Sequence, residues 1–121
     1  MAGLVAARML DDSHEVVVVD KGRGVGGRLA TRRIGDATFD HGAQFLTTHT
    51  DWFAALVEGL HVDGVVSEWY RGQIGPDGIG SRDGHARHRG TVSMNAIAKH
   101  LATGLDVRTG VRIESIACEG A

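Results

Sequence analysis

Cysteine and proline each occur once among the 121 residues. The lone Cys118 excludes an internal disulfide framework and a cysteine-based zinc cluster, and near a terminus it reads as a structural bystander, so any redox chemistry rests on a cofactor. One proline beside 18 glycines is the wrong composition for a disordered linker, and glycine at about twice the usual ~7% points to backbone geometry as its use. An excess of one charge is lacking as well: 13 Lys and Arg against 15 Asp and Glu leave a net charge of -2, which removes the strongly basic balance of a general nucleic-acid binder. No apolar run approaches the ~18 residues needed to span a bilayer. The opening MAGLVAARML has no charged region ahead of its apolar part and no small-residue cleavage site, so it is a poor signal peptide and the cytoplasm is the expected compartment. The length suits one packed domain, not two.

What is present reads as α/β. Residues 2 to 10 carry apolar side chains at helical spacing, broken by Asp11, Asp12 and Ser13. Val16 to Val19 is β-branched throughout and ends in Asp20, the pattern of a strand buried on both faces of a parallel sheet. From Gly35 onward, Ala37 and Phe39, then Ala43 and Phe45, alternate around a turn at Asp40 to Gly42 and predict short strands. Thr50 is placed to cap a helix over 51 to 60 with Trp52, Phe53, Leu56, Val57 and Leu60 on one face. Residues 62 to 89 read as short strands and turns, with Val66 to Tyr70 the best strand and Pro76-Asp77-Gly78 the clearest turn. Ser93 is the expected cap of a helix that presents Met94, Ile97, Ala98 and Leu101 and ends at Gly104. Leu105 to Arg108 and Val111 to Ala117 are expected as two closing strands. No repeat, linker or low-complexity tract divides the chain.

The most informative stretch is Lys21 to Arg33, KGRGVGGRLATRR, with five cations and no acid. In a dinucleotide-binding unit an acid at the end of the second strand accepts hydrogen bonds from ribose hydroxyls, about 20 residues after the first Gly of G-x-G-x-x-G. Asp20 suits that role if Gly3 is the last Gly of such a fingerprint, which would then begin upstream of Met1. The alternative is that Ala2-Gly3 is an ordinary helix start.

The segment Asp20-Lys21-Gly22-Arg23-Gly24-Val25-Gly26-Gly27-Arg28 resembles the second FAD-binding motif of flavin-dependent amine oxidase-like proteins, and is most similar to that of the renalase-like FAD- and NAD(P)-dependent oxidoreductases. The similarity continues in Leu29 to Arg33, in Phe39-Asp40-His41-Gly42-Ala43-Gln44-Phe45, in Arg89-Gly90 with Met94 to Ala102, and through Gly104 to Val107, Val111 and Ile113. It implies a partial Rossmann-like FAD/NAD(P)-binding domain, cut at both ends, with its first strand and GxGxxG turn missing, and with a small β-rich insertion over about 60–90 that is part of a substrate region. It implies FAD as cofactor, NAD(P)H as a candidate substrate, and hydride transfer between the flavin and a small amine or nicotinamide. By the same resemblance Asp20 holds the adenosine ribose with Lys21 near it, Gly26, Gly27 and Arg28 face the pyrophosphate, and Gly42, Ala43 and Gln44 pass close to the flavin ring. Val111 stands where a backbone amide and carbonyl read adenine. A cationic, glycine-rich loop is chemically suited to pyrophosphate, because Arg donates paired hydrogen bonds while Gly lets the main chain approach. No catalytic acid or base is implied, and a chain cut in this way is expected to bind FAD weakly or not at all.

Other readings are weaker. GRGVGGR as an RNA-binding RGG segment sits badly in a net acidic chain after a buried-type strand. No G-K-[ST] follows a Gly at P-loop spacing and no G-x-S-x-G occurs. His85 and His88 lie three apart in a loop without completing ligands and read as surface histidines, with no metal site. His41 reads equally as a flavin neighbour or as a support of its turn. Arg32 and Arg33 are expected to be solvated or paired with acids such as Asp36, and Trp52, Phe53, Trp69 and Tyr70 to be core residues. The remaining alternatives are a non-catalytic nucleotide-binding module and a truncated fragment without function of its own. The expected partner is a small molecule, with no nucleic acid and no membrane.

Overall fold

The computed structural model describes residues 1–77 and 80–117. Helix α1 (Ala2–Leu10) leads to strand β1 (Val17–Asp20), and a 3-10 turn (Gly27–Leu29) follows the glycine loop. A hairpin of β2 (Thr31–Ile34) and β3 (Ala37–Asp40) precedes helix α2 (Asp51–Val62). A second, longer hairpin pairs β4 (Val66–Ile74) with β5 (Gly80–Gly90); helix α3 (Met94–Ala102) and strand β6 (Asp106–Thr109) complete the order. β6 returns beside β1 in parallel, with Val17 opposite Asp106 and Asp20 opposite Thr109. The fold is therefore α/β and Rossmann-like, a parallel pair with helices against it, plus two antiparallel hairpins in the crossover.

The core is helical. Leu4 and Val5 of α1, Val57 and Leu60 of α2, and Met94, Ile97, Ala98 and Leu101 of α3 are buried together with Leu29 and Val66. Met94, Ile97 and Ala98 have no exposed surface at all, and each large side chain so buried contributes about 1.5–3 kcal/mol. α1 forms because its Ala, Leu, Met and Arg residues favour helix, and it stops at the polar Asp11-Asp12-Ser13 segment. α2 starts as expected: the Thr50 hydroxyl accepts from the Phe53 amide at 3.3 Å, and Asp51 sits in the first, positively polarised turn. It ends on Gly64, whose φ of +70° is the left-handed conformation that a helix stop requires.

α3 is capped by residues far away in sequence. Asp40 Oδ1 accepts from the Met94 amide at 3.0 Å and from the Thr31 hydroxyl at 2.5 Å, while Thr31 Oγ1 accepts from the Asn95 amide at 3.2 Å. Ser93, the expected cap, occupies the cap position, but its hydroxyl makes no capping bond. The β2–β3 hairpin ends its two strands directly over the helix start, so its carboxylate takes the role. At the other end, Arg8 of α1 donates to the carbonyls of Leu101 and Thr103, placing a cation at the negative pole.

Several expectations need correction. Val17 and Val19 are 41% and 40% exposed, and only Val18 packs on the core, because β1 has one neighbouring strand and one covered face among the described residues. The strand before β3 is Thr31–Ile34, turning at Gly35, whereas Ala43 and Phe45 form no strand; the chain there makes only a single bridge, Leu46 to His88. Residues 111–117 run without strand pairing. Trp52, Trp69 and Tyr70 are exposed rather than core, and Phe53 is half-buried. Cys118 and Gly78 lie outside the described residues.

The cap makes a direct prediction. Asp40→Ala should cost about 1–2 kcal/mol, the usual value of a helix N-cap, and Ser93→Ala less, compared through urea unfolding midpoints. A second concerns pH. His61 Nε2 and His88 Nδ1 are 2.8 Å apart, tying α2 to β5. Burial first, then the neighbouring His61, holds the His88 imidazole below its ordinary value of 6.5. The folded chain then binds fewer protons at His88 than the unfolded one. The stability is complete above about pH 6.5 and declines as pH falls through the lower, folded value. His88→Gln should flatten that decline in unfolding curves taken between about pH 7 and 5.

Candidate functional site

In a parallel α/β layer, ligands bind beyond the carboxyl ends of the strands. Here those ends belong to β1 and β6, and the main chain joins them: the Val111 amide donates to the Asp20 carbonyl at 3.0 Å, and the Gly110 amide to the Gly22 carbonyl at 2.8 Å. Asp20 and Val111, ninety-one positions apart in number, are thus adjacent. The Val111 amide is committed to this bond, which leaves its carbonyl as the group for a ligand.

The Asp20 carboxylate is oriented by its own loop. Its Oδ1 accepts from the Gly22 amide at 2.7 Å, a local turn in which the side chain stands in for a backbone acceptor. No other hydrogen bond engages this carboxylate among the described residues, so Oδ2 remains an acceptor suited to a hydroxyl donor. Gly110, at φ +72°, supplies the sharp turn after β6 that brings Val111 back to Asp20.

The loop continues with Lys21, Arg23 and Arg28 exposed and, among the described residues, without an ion pair. Arg32 and Arg33 are likewise exposed with no partner there, including Asp36. Other cations are spent: Arg71 lies 2.7 Å from Glu68 and Arg108 2.8 Å from Asp106, and each cation holds its carboxylate below the ordinary range. A glycine loop carrying three unpaired cations fits a polyanion. Gly22, Gly24 and Gly27 also spell G-x-G-x-x-G, but the loop opens onto one 3-10 turn instead of a helix, so the helix-dipole part of that fingerprint is missing here.

Gly26 and Gly42 fix where this loop goes. Gly26, at φ +114°, is buried against α3, and a Cβ on it would come within 2.6 Å of Asn95 Oδ1. That oxygen is buried and accepts no hydrogen bond, an orphaned polar atom immediately behind the loop. The Gly42 amide donates to the Ala30 carbonyl at 3.3 Å and the Ala43 amide to the Arg28 carbonyl at 2.8 Å; a Cβ on Gly42 would lie 2.1 Å from that same Arg28 oxygen. Arg28 is thereby brought against Gly42 and Ala43. Gln44, exposed, lines a polar cavity of about 380 Å³ together with Thr38, Asp40, Trp69 and Arg89. Gly3 stands in the exposed first turn of α1 with open space around it.

Most of the sequence-derived residues fall into two backbone-linked groups, Asp20 with Val111 and Arg28 with Gly42 and Ala43, bridged by the loop from Lys21 to Gly27; Gly3, in α1, and Gln44, on the polar cavity, have no such link to them. Sequence reasoning placed Gly110 between the last two strands but missed Asn95 and the cap made by Thr31 and Asp40. Nothing in sequence signals that Asn95 faces Gly26. Among the described residues, no group of three or more His, Cys, Asp and Glu side chains is arranged to hold a metal ion, and no helix is long and apolar enough to cross a membrane.

The geometry defines a Rossmann-like α/β unit. Residues 1–60 match the family of NAD(P)-binding Rossmann-like domains, a domain type common in FAD-dependent oxidoreductases. That match spans α1, β1, the glycine loop, the β2–β3 hairpin and most of α2.

Two glycines separate steric need from mere occurrence. Gly42→Ala should destabilise the chain by about 1–3 kcal/mol, because the methyl meets backbone. Gly3→Ala, in open helical surroundings, should raise stability by about 0.4–1 kcal/mol. Thermal unfolding of the two variants checks both.

Proposed function

We propose that the chain is the FAD-binding part of a renalase-like or amine oxidase-like flavin-dependent oxidoreductase, acting on a small amine or a reduced nicotinamide. The observation that carries this reading is the joint between Asp20 and Val111 at the ends of β1 and β6, followed at once by a glycine loop with unpaired cations. The family match over residues 1–60 supports a dinucleotide as the ligand.

The residues suit the parts of FAD. Asp20 Oδ2 is the acceptor for the adenosine ribose, held in place by the Gly22 amide on Oδ1, with Lys21 at the same edge. The Val111 carbonyl is available to the adenine amino group. Arg28 donates to the pyrophosphate, and Gly26 and Gly27, at φ +114° and +50°, let the main chain pass without a side chain between. Gly42, Ala43 and Gln44 lead from Arg28 to the cavity beside Trp69 and Arg89, the end for the flavin ring and its substrate. When bound, flavin supplies hydride transfer at its N5, and the protein contributes position and charge. Gly3, in the first turn of α1, belongs with the pyrophosphate side of the same site.

FAD titrated into the chain, followed by quenching of flavin fluorescence, should show weak but saturable binding. Asp20→Asn and Arg28→Gln should each weaken it about tenfold, the scale of one charge-assisted hydrogen bond, while Lys99→Gln on α3 leaves it unchanged. Saturable FAD binding indifferent to both substitutions overturns the assignment. Binding of ADP as tight as that of FAD would favour a nucleotide-binding module without a flavin pocket.

A further inference from the structure

The polar cavity between the β2–β3 hairpin, the β4–β5 hairpin and the start of α3 holds two opposite charges that are unequally engaged. Its walls carry two ionised groups, Asp40 and Arg89, with Thr38, Gln44, Trp69 and Thr91. Asp40 is already engaged: Oδ1 accepts from the Met94 amide and the Thr31 hydroxyl, and the carboxylate sits at the positive end of α3. Arg89 has no ion pair and no hydrogen bond among the described residues. Its guanidinium carbon lies 6.0 Å from the centre of the Trp69 ring, its one described partner.

Trp69 is itself placed by a defect in the hairpin. Glu68 pairs with His88 and Tyr70 with Arg87, so the register shifts at Trp69 and leaves it as the extra residue of a β-bulge. Bulges re-aim side chains and recur beside active sites. Here the bulge leaves an indole 48% exposed on the cavity wall, next to a guanidinium. A flat apolar face and an unneutralised five-donor cation on one wall, in a cavity of about 380 Å³, are complementary to one kind of molecule.

We infer that this cavity binds a small planar molecule bearing an anionic oxygen group, a carboxylate or a phosphate, with Arg89 as the anion anchor and Trp69 as the stacking wall. Asp40 offers a cation less than Arg89 offers an anion, because two hydrogen bonds already engage its Oδ1 and the positive end of α3 offsets its charge. That this molecule is the substrate rests on the flavoenzyme reading and favours its phosphate-bearing reduced nicotinamide over its small amine; that it binds does not, since neither Arg89 nor Trp69 is among the residues assigned to FAD.

The test needs no flavin. The chain has two tryptophans, so Trp52→Phe, on an exposed position of α2, leaves Trp69 as the sole indole reporter. Benzoate, phenyl phosphate, benzylamine and benzyl alcohol are titrated into this variant while Trp69 fluorescence is followed. Saturable quenching by benzoate or phenyl phosphate is expected, with benzylamine and benzyl alcohol at least about tenfold weaker; the better of the two anions identifies the group. Arg89→Gln should cut the anion affinity about tenfold and Arg89→Lys by less, since a point charge survives without the planar fork. Circular dichroism establishes that each variant is folded. Equal binding of benzylamine and benzoate, anion binding untouched by Arg89→Gln in a folded variant, or no saturable response to either anion at tens of millimolar overturns the inference. None of these outcomes alters the FAD titration, so the two assignments fail separately.

Discussion

Helix α3 is the member on which the other elements depend. Its core face, Met94, Ile97, Ala98 and Leu101, has 0–6% exposure, and its first turn receives no side-chain cap from Ser93 beside it. A helix leaves four amides and four carbonyls unpaired at its termini. Asp40 and Thr31 serve the first turn and Arg8 serves the last, so the β2–β3 hairpin and α1 are each fastened to α3 by hydrogen bonds as well as by packing. Gly26 rests on Asn95 and Ala98 of the same helix, which sets the height of the glycine loop. Moving α3 would displace the loop, the hairpin and the cavity together.

The candidate site inherits its shape from that arrangement. One end is a backbone joint at the carboxyl ends of two parallel strands, with the Asp20 carboxylate turned by Gly22; the other is the contact of Arg28 with Gly42 and Ala43. Between them the cations of the loop have no acid partner among the described residues, unlike Arg71 and Arg108, which are paired. Charge is therefore arranged by omission. The segment from Lys21 to Arg33 contains no acid, and Asp20 before it and Asp40 after it are each tied to a backbone amide.

Much of this was legible in sequence because it rests on local chemistry. The periodicity of α1, α2 and α3, the Thr50 cap, and the acid closing the valine run are short-range features, and the fold follows them. The class of the unit was legible too, since residues 1–60 match the NAD(P)-binding Rossmann-like family. The rest depended on long-range partners. Asp40 displaced Ser93 as the cap of α3 because a hairpin more than fifty residues upstream ends there. Val17 and Val19 looked fully buried because β-branched runs carry no mark of how many neighbours a strand will have. Trp69 looked like core because a bulge, which re-aims a side chain, leaves no signature in a pattern of alternation.

The parallel pairing of β1 with β6 has a kinetic corollary. Both antiparallel hairpins close over short turns, whereas Val18 meets Val107 only after the whole intervening chain has been drawn in. Contacts of such sequence separation are slow to form, since loop-closure entropy is lost before they reward it. The seam holding Asp20 to Val111 accordingly carries the largest loop-closure cost of the three strand pairings, so a nucleotide bridging it would act as a latch on that seam.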